Sequence, residues 1–368
     1  MKNQVGREIP DEILARMGKT GYRGLHDRDN ASYRKASPTV RALNDPQRGK
    51  LCASLREALE KCELRDGMYF GFHHHFRDGD YVINMVMQEV ARMGIRDITI
   101  CATSMGAAHD ALEPLIKQGV IAGIQSSGVR GKIGEAISKG KFKKPAIIRS
   151  HGGRVRAIEE GDIHLDVAFI GAPTADEYGN ARAVGGKSDC GVLSYSMADA
   201  KYADRVVVIT DCLVPFPNTP ASISMTDVDY VCVVDEIGDP KKIVSNVVRV
   251  TKDVRELMMA EYCTQIIAQS PYFKDGFPFQ TGGGGAALAV NGMLKPYMQQ
   301  KGIRMGFAIG GIMQAMCDLM DEGFVRKIVD AQVFDAAAIE HIKTNPNHVE
   351  ISTSEYANPM NKGAYINK

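Results

Sequence analysis

Met68-Tyr69-Phe70-Gly71-Phe72-His73-His74-His75-Phe76-Arg77-Asp78-Gly79-Asp80 decides how this chain is read. An apolar run of strand length, Met68 to Phe72, breaks into three imidazoles, a guanidinium and two carboxylates. A segment of helical character, Tyr81 to Met93, follows. In an open α/β sheet such a strand-to-helix turn lies at the carboxyl end of its strand, where ligands bind. Arginine offers a fork for carboxylates, histidine offers donors, and a helix start adds positive potential, so the turn suits a small polyanion. A solvated turn that happens to carry histidines would have the same composition, and the residues alone leave both readings open. Consecutive residues of an extended segment point to opposite faces. The three imidazoles therefore cannot share one ion without a special turn, and no metal is expected.

The pattern on either side is that of βαβ units. Leu51, Leu55, Ala58, Leu59 and Cys62 fall at helical spacing, and Asp66-Gly67 makes a turn before the strand at 68–72. Strands are then predicted at 98–102, 119–125, 146–149, 165–170, 205–210 and 228–234, with helices at 81–93, 105–118 and 129–139. A long helix over 252–269 marks a domain junction. The same grammar restarts beyond it: glycine loop 282–285, helix 286–300, strand 304–309, helix 312–322, strand 327–331, helix 335–343 and strand 348–352. Short apolar strands alternating with helices predict an α/β fold with mostly parallel sheets. The expected division is an N-terminal arm over 1–49, a first domain over 50–251 and a second over 252–368. Residues 1–49 are polar and broken by Gly18, Gly21, Gly24, Pro38, Pro46 and Gly49. The second block has fewer strands than the first, and the tail from Ala357 is polar, so the second domain is expected to be incomplete.

Composition narrows the class. The chain has 368 residues, 44% hydrophobic and 24% charged, which is globular composition. Its 45 basic and 44 acidic residues nearly cancel, so no field favours nucleic acid or an anionic membrane. Apolar runs are of strand length, and the first ten residues lack the apolar core of a signal peptide. Cys52, Cys62, Cys101, Cys190, Cys212, Cys232, Cys263 and Cys317 form no CxxC pair. They read as reduced thiols of a cytoplasmic protein, with neither a disulfide framework nor a structural zinc site expected.

Three further stretches could carry chemistry. Asp166 to Asn180 runs from a buried strand into a loop holding Asp176, Glu177 and Asn180. A carboxylate at a strand end can act as base or nucleophile, although Asp, Gly and Asn are also what a plain turn needs. Gln280-Thr281-Gly282-Gly283-Gly284-Gly285-Ala286-Ala287 costs backbone entropy to order. It suits a place where a ligand approaches the main chain and meets exposed N–H groups at a helix start. A flexible hinge is the plainer alternative. The run is neither a Walker loop nor a dinucleotide fingerprint. Ser150-His151-Gly152-Gly153-Arg154 and Gly310-Gly311 read as smaller turns at strand ends, and Met85, Met87 and Met93 read as core. No Ser/His/Asp set or GxSxG elbow is present.

Taken together these stretches resemble the citrate lyase alpha subunit family. The matching pieces are Asp66 to Asp80, Asn84 to Met87, Ser150 to Val155, Asp166 to Asn180, Gln280 to Ala287, Gly310 to Ile312 and Asn345 to Ser352, in the family's order from about residue 50 onward. The histidine turn and the Ser-His-Gly-Gly-Arg-Val piece are specific to this subunit. The Ala175-to-Asn180 and glycine-loop pieces resemble the wider CoA-transferase superfamily.

The resemblance implies two CoA-transferase-type, Rossmann-like domains with the active site between them. It implies exchange of an acetyl thioester for a citryl thioester, with citrate displacing acetate. No cofactor is held permanently. The thioester donor is acyl-CoA or the phosphoribosyl-dephospho-CoA arm of an acyl carrier (gamma) subunit, and a beta subunit then cleaves the citryl thioester. Carried onto this sequence, His73, His74, Arg77, His151, Arg154 and Asn180 are the candidates for binding citrate. Gly282, Gly283 and Gly284 would stabilise the oxyanion, Gly284, Gly285, Gly310 and Gly311 would approach the CoA-like arm, and Glu177 is the fallback carboxylate. Members of the family continue past Lys368 into an acidic, glycine-rich loop corresponding to the catalytic glutamate loop of other CoA-transferases. A truncated scaffold that binds the beta or carrier subunit without turnover is the competing reading. A sugar-phosphate isomerase of related fold is a third, and it lacks an identifiable acid/base pair.

Overall fold

The computed structural model describes residues 8–18, 36–39, 49–73, 75–243, 250–361 and 363–365. Residues 1–36 form a unit of their own, in which helix Asp11–Arg16 buries no side chain. Residues 37–368 form the second unit and carry both large sheets.

The strands in chain order are β1 (Leu51–Cys52), β2 (Tyr69–Phe72), β3 (Ile98–Ala102), β4 (Ile121–Ser126), β5 (Ile147–Ile148), β6 (Val167–Ala172) and β7 (Thr174–Ala175). They continue with β8 (Ala181–Arg182), β9 (Arg205–Thr210), β10 (Tyr230–Val233), β11 (Phe277–Phe279), β12 (Met305–Ile312), β13 (Ile328–Val333) and β14 (His348–Glu350). The first sheet has eight strands in the order β1-β10-β9-β6-β2-β3-β4-β5, every neighbour parallel. β3, β4 and β6 are buried along their whole length, as a parallel sheet covered on both faces requires. From β2 the chain steps outward through β3 and β4 to β5. It then returns past β2 to β6 and continues the other way to β9 and β10. The strand order thus reverses at β2, and the histidine turn sits at the carboxyl end of that strand.

The core beneath the turn is aromatic. Phe169 of β6 meets Phe70 edge-on at 5.3 Å between ring centres and stacks on Phe72 at 5.4 Å. All three are buried. Leu51-Cys52 departs from the sequence reading. It pairs with β10 as an edge strand, and the helix begins at Leu55, where Ser54 accepts from the Glu57 N–H and Glu57 reaches back to Ala53 N at 2.7 Å. The Ser54 side-chain cap, not periodicity, sets that start.

The second sheet is β11-β12-β13-β14, also parallel, with helices Gly285–Lys301, Gln314–Asp321 and Ala336–Thr344 as its crossovers. The sequence reading ended a strand at 309 and placed Gly310-Gly311 in a turn. β12 instead runs on to Ile312, with a register shift between the two glycines. β14 is shorter than expected, because Ser352 and Glu355 form a capping box that opens helix Thr353–Ala357.

Both sheets meet along a close-packed seam. Gly191 has φ +86°, and a Cβ there would lie 2.3 Å from Val333 Cγ2. A Cβ on Gly152 would lie 2.0 Å from the Ala357 carbonyl oxygen, so helix Thr353–Ala357 rests directly on helix His151–Glu159. Asn358 Nδ2 donates to Glu159 Oε2 at 2.5 Å, and Lys343 pairs with Asp189 at 3.0 Å. Phe169→Ala should cost about 3–5 kcal/mol, the usual range for emptying a buried phenyl site. Denaturant unfolding checks this, and a loss under about 1 kcal/mol would mean that the aromatic layer is not the core's centre.

Candidate active site

The turn after β2 closes over its own strand end. The His73 ring lies flat on Tyr195, 4.7 Å between centres and 19° between planes, and its Nδ1 is 2.5 Å from Thr103 Oγ1 beyond β3. His75 packs edge-on against His73 at 4.2 Å, and its Nε2 is 3.1 Å from Ser196 Oγ. Burial pulls the His75 imidazole down to about 3, so it is neutral at physiological pH. His151 meets the far edge of Tyr195 at 5.3 Å. His73, His75, Tyr195 and His151 therefore form one cluster at the point where the strand order reverses. His74 lies outside the described residues.

Arg77 differs from its neighbours. Its backbone takes the left-handed φ of +53°, and its guanidinium sits 4.0 Å over the Phe334 ring, which follows β13 of the second sheet. That conformation costs an L-residue about 1–2 kcal/mol, and a partly desolvated cation–π contact returns about 0.5–2 kcal/mol. Burial lowers the guanidinium to about 10, with Arg130 nearby acting the same way and Asp78 opposing. It stays charged at neutral pH. Among the described residues it makes no ion pair with a carboxylate at bonding distance, so its fork is open to an anion.

Arg154 does not share this freedom. It is buried, its Nη1 and Nη2 reach Asp199 at 2.8 and 2.7 Å, and Nη2 also reaches the Cys101 carbonyl at 2.8 Å. The expectation that it holds substrate is corrected: a buried ion pair beneath β2 and β3 occupies it. Asn180 is likewise spent. Asp176 Oδ1 accepts from the N–H groups of Tyr178 and Asn180, and Asp176 Oδ2 accepts from Asn180 Nδ2 at 2.8 Å. Asn180 Oδ1 accepts from Met225 N, and Asn218 ties the loop together from outside. This is the capped turn, and both polar ends of the Asn180 side chain are engaged within it. Glu177 lies in that turn and makes no hydrogen bond with the histidine cluster.

The second sheet brings its own groups to the seam. Gly282, Gly283 and Gly284 are exposed, and a Cβ on Gly283 or Gly284 would meet nothing within 4 Å. Gly284 is the N-cap of helix Gly285–Lys301, with no side chain covering the helix start. Gly310 and Gly311 are a different case. A Cβ on Gly310 would lie 3.0 Å from Gln280 Nε2, and one on Gly311 would lie 1.8 Å from the Phe334 ring. Their smallness serves this chain's own side chains, which corrects the reading of them as a surface for a CoA-like arm. Gln280 Nε2 donates to the Tyr356 hydroxyl at 2.6 Å.

The first sheet thus presents Arg77 beside the His73, His75, Tyr195 and His151 rings, and the second presents an uncapped helix start at Gly284. The family described as citrate lyase, alpha subunit (CitF), matches residues 48–368. The chain belongs to the citrate lyase alpha subunit family. It is 46% identical to the citrate lyase alpha chain of Haemophilus influenzae over 87% of its length, and 46% identical to that of Klebsiella pneumoniae over 89%. It covers 64% and 65% of those relatives, so it spans about two thirds of their length. A crystal structure assigned to the alpha subunit of citrate lyase from Streptococcus mutans, in complex with citrate, superposes with TM-score 0.91 at 50% identity. That superposition covers 99% of this chain and 71% of the other. The malonate decarboxylase alpha subunit of Acinetobacter baumannii, at TM-score 0.60 and 16% identity over 78% of this chain and 52% of the other, shares the fold. The chain and these two proteins share one α/β fold. No helix among the described residues is long and apolar enough to cross a membrane.

Several residues of this family member's cleft escaped the sequence reading. Tyr195, Thr103 and Phe334 lie in loops with no motif of their own. Glu350 sat inside a matched stretch, but nothing local marked it. At the end of β14 its carboxylate accepts from the Leu193 N–H and from Ser222 Oγ at 2.5 Å, joining the two sheets. Burial raises it to about 7. A carboxyl raised in the folded state binds more protons than the unfolded chain between about pH 4.5 and 7, so stability falls as pH rises through that window. At about 1.36 kcal/mol per pH unit the loss is at most about 3 kcal/mol. Glu350→Gln should flatten the fall between pH 5 and 8 in thermal melts. An unchanged slope would mean that Glu350 is ionised throughout.

Proposed function

We propose that this chain exchanges the acyl group of a thioester, taking citrate in and releasing acetate, as the acyl-transfer component of a citrate-cleaving assembly. Arg77 carries the reading: a charged, half-buried guanidinium with no ion-paired carboxylate among the described residues follows the strand at which the strand order reverses, and citrate has three carboxylates to offer it. A bidentate Arg–carboxylate contact fixes orientation as well as charge. His73 and His151 both pack on Tyr195 and supply imidazole nitrogens, with burial and Arg154 lowering the His151 imidazole. The citrate bound to the Streptococcus mutans protein supports the same ligand here, given the likeness of the two chains.

A citrate carboxylate oxygen attacks the thioester carbonyl carbon and the C–S bond breaks, giving a mixed anhydride and a thiolate; the thiolate then attacks the citryl carbonyl carbon, the anhydride C–O bond breaks, and acetate leaves. Negative charge develops on the carbonyl oxygen on the way. Main-chain N–H groups at Gly282, Gly283 and Gly284, at the start of a helix of 17 residues, would meet that charge. Gly284 and Gly285 are also where a CoA-like arm could pass close to the backbone. Holding both reactants in one cleft would supply much of the remaining acceleration. Glu177 has no partner that would activate it, so the proposal routes no covalent step through it. The thioester donor would be acetyl-CoA or the arm of an acyl carrier subunit, with a beta subunit as the further partner. We read the two sheets as the cores of two domains, over 50–251 and 252–368.

Calorimetry with citrate tests the binding half. Arg77→Ala should weaken citrate by tenfold to a hundredfold, since a hydrogen bond to a charged group contributes about 1.5–3 kcal/mol. Acetyl-CoA binding should stay unchanged. Equal losses for both ligands, or no citrate binding by the unaltered chain, would sink the reading. For the chemical half, the chain is mixed with acetyl-CoA and citrate, and citryl-CoA is sought by mass spectrometry beside the full-length Klebsiella pneumoniae relative. Gly283→Val should lower any exchange while leaving the melting temperature in place, because its side chain enters open space. If that variant unfolds, the loop is structural.

A further inference from the structure

Three metal-binding side chains from three elements converge at the edge of the second sheet, away from the histidine turn. Cys317 lies on helix Gln314–Asp321, His341 on helix Ala336–Thr344, and His348 opens β14. Their ligand atoms all lie within 4.8 Å of one another. The two Nδ1 atoms of His341 and His348 are 2.8 Å apart. The opposite nitrogens meet carboxylates: His348 Nε2 is 2.9 Å from Asp330 Oδ2, and His341 Nε2 is 3.3 Å from Asp321 Oδ1.

A carboxylate on Nε2 keeps the hydrogen there and turns the Nδ1 lone pair outward. Two lone pairs at that separation repel unless positive charge stands between them. This is also how outer carboxylates orient histidine ligands around a metal ion. Asn345 Nδ2 lies 3.2 Å from His341 Nε2, which suits the opposite tautomer of that ring. In that case one N–H···N bond would join the rings with no cation. The surroundings decide against it. Cys317 Sγ lies within 4.8 Å of a nitrogen of each ring, and the Asp330 and Asp321 carboxylates flank the pair from outside. A proton shared between imidazoles has no use for a buried sulfur beside it, whereas a borderline-soft cation does.

We propose that Cys317, His341 and His348 bind a zinc-class divalent cation that staples both helices to β14. Three protein ligands leave a fourth position open, and tetrahedral geometry needs the sulfur to move inward by roughly 1 Å and the two nitrogens, 2.8 Å apart, to spread by roughly half an ångström. The ligands come singly from separate elements, which is why the lack of a CxxC pair led the sequence reading to expect no such site.

The full chain, stripped with chelator, is titrated with Zn²⁺ and, separately, with Co²⁺. One equivalent of Zn²⁺ should bind and raise the melting temperature. Co²⁺ should give visible bands of a tetrahedral site and a near-ultraviolet sulfur-to-metal band. Cys317→Ser should remove the near-ultraviolet band. Asp321→Asn, at a side chain 63% exposed and therefore safe for folding, should weaken Zn²⁺ by about tenfold. No uptake, or uptake indifferent to both substitutions, would overturn the proposal. So would an imidazole N–H···N signal that persists with saturating Zn²⁺.

Discussion

A parallel sheet that grows outward from one strand in both directions must leave a crevice at that strand's carboxyl end, because the connections on its two sides depart to opposite faces. In this chain the strand is β2, and everything at the cleft follows from that constraint. Phe70 and Phe72 pin β2 to β6 from below. The turn that follows has nowhere to go except across the opening, so His73, His75 and Arg77 are presented there by the winding of the chain. The second sheet then supplies the opposite wall through Phe334, which gives the Arg77 guanidinium a face to lie on.

The electrostatics of the cleft divide between what is fixed and what is free. Arg154 and Asp199 neutralise each other beneath the floor, and breaking one side of such a pair typically costs about 3–5 kcal/mol. That pair holds helix His151–Glu159 against the helix of Asp199, and so sets where His151 stands. His75 is kept neutral by burial. Arg77 then remains as a cation with no carboxylate of its own among the described residues. An anion there would meet the Arg77 guanidinium, with Arg130 close enough to act on it, in a setting of imidazole and hydroxyl groups.

Much of this was legible in the sequence. The alternation of apolar strands with helices gave both parallel sheets, since strands covered on two faces read as unbroken apolar runs. The histidine turn was legible because it falls where an apolar run ends and a helix begins. Arg154 and Asn180 were misjudged for one reason. A polar residue after a strand has the same local pattern whether it faces a ligand or a buried partner, and Asp199 and Asp176 are visible only once the chain is folded. Gly310 and Gly311 failed similarly: a glycine pair announces a close approach without saying to what. Cys317, His341 and His348 were invisible, because a site drawn singly from three elements leaves no spacing to read.

The seam between the sheets has glycines pressed against specific bulk: Gly191 against Val333, and Gly152 against the Ala357 carbonyl. At each pair a single added carbon has no room. The two halves of the molecule are thus matched like a key to its ward. A chimera that takes one half from a relative should fold only if each glycine still meets the bulk that fits its place, so the natural crossover points for recombination within this family are those that leave these two pairs intact.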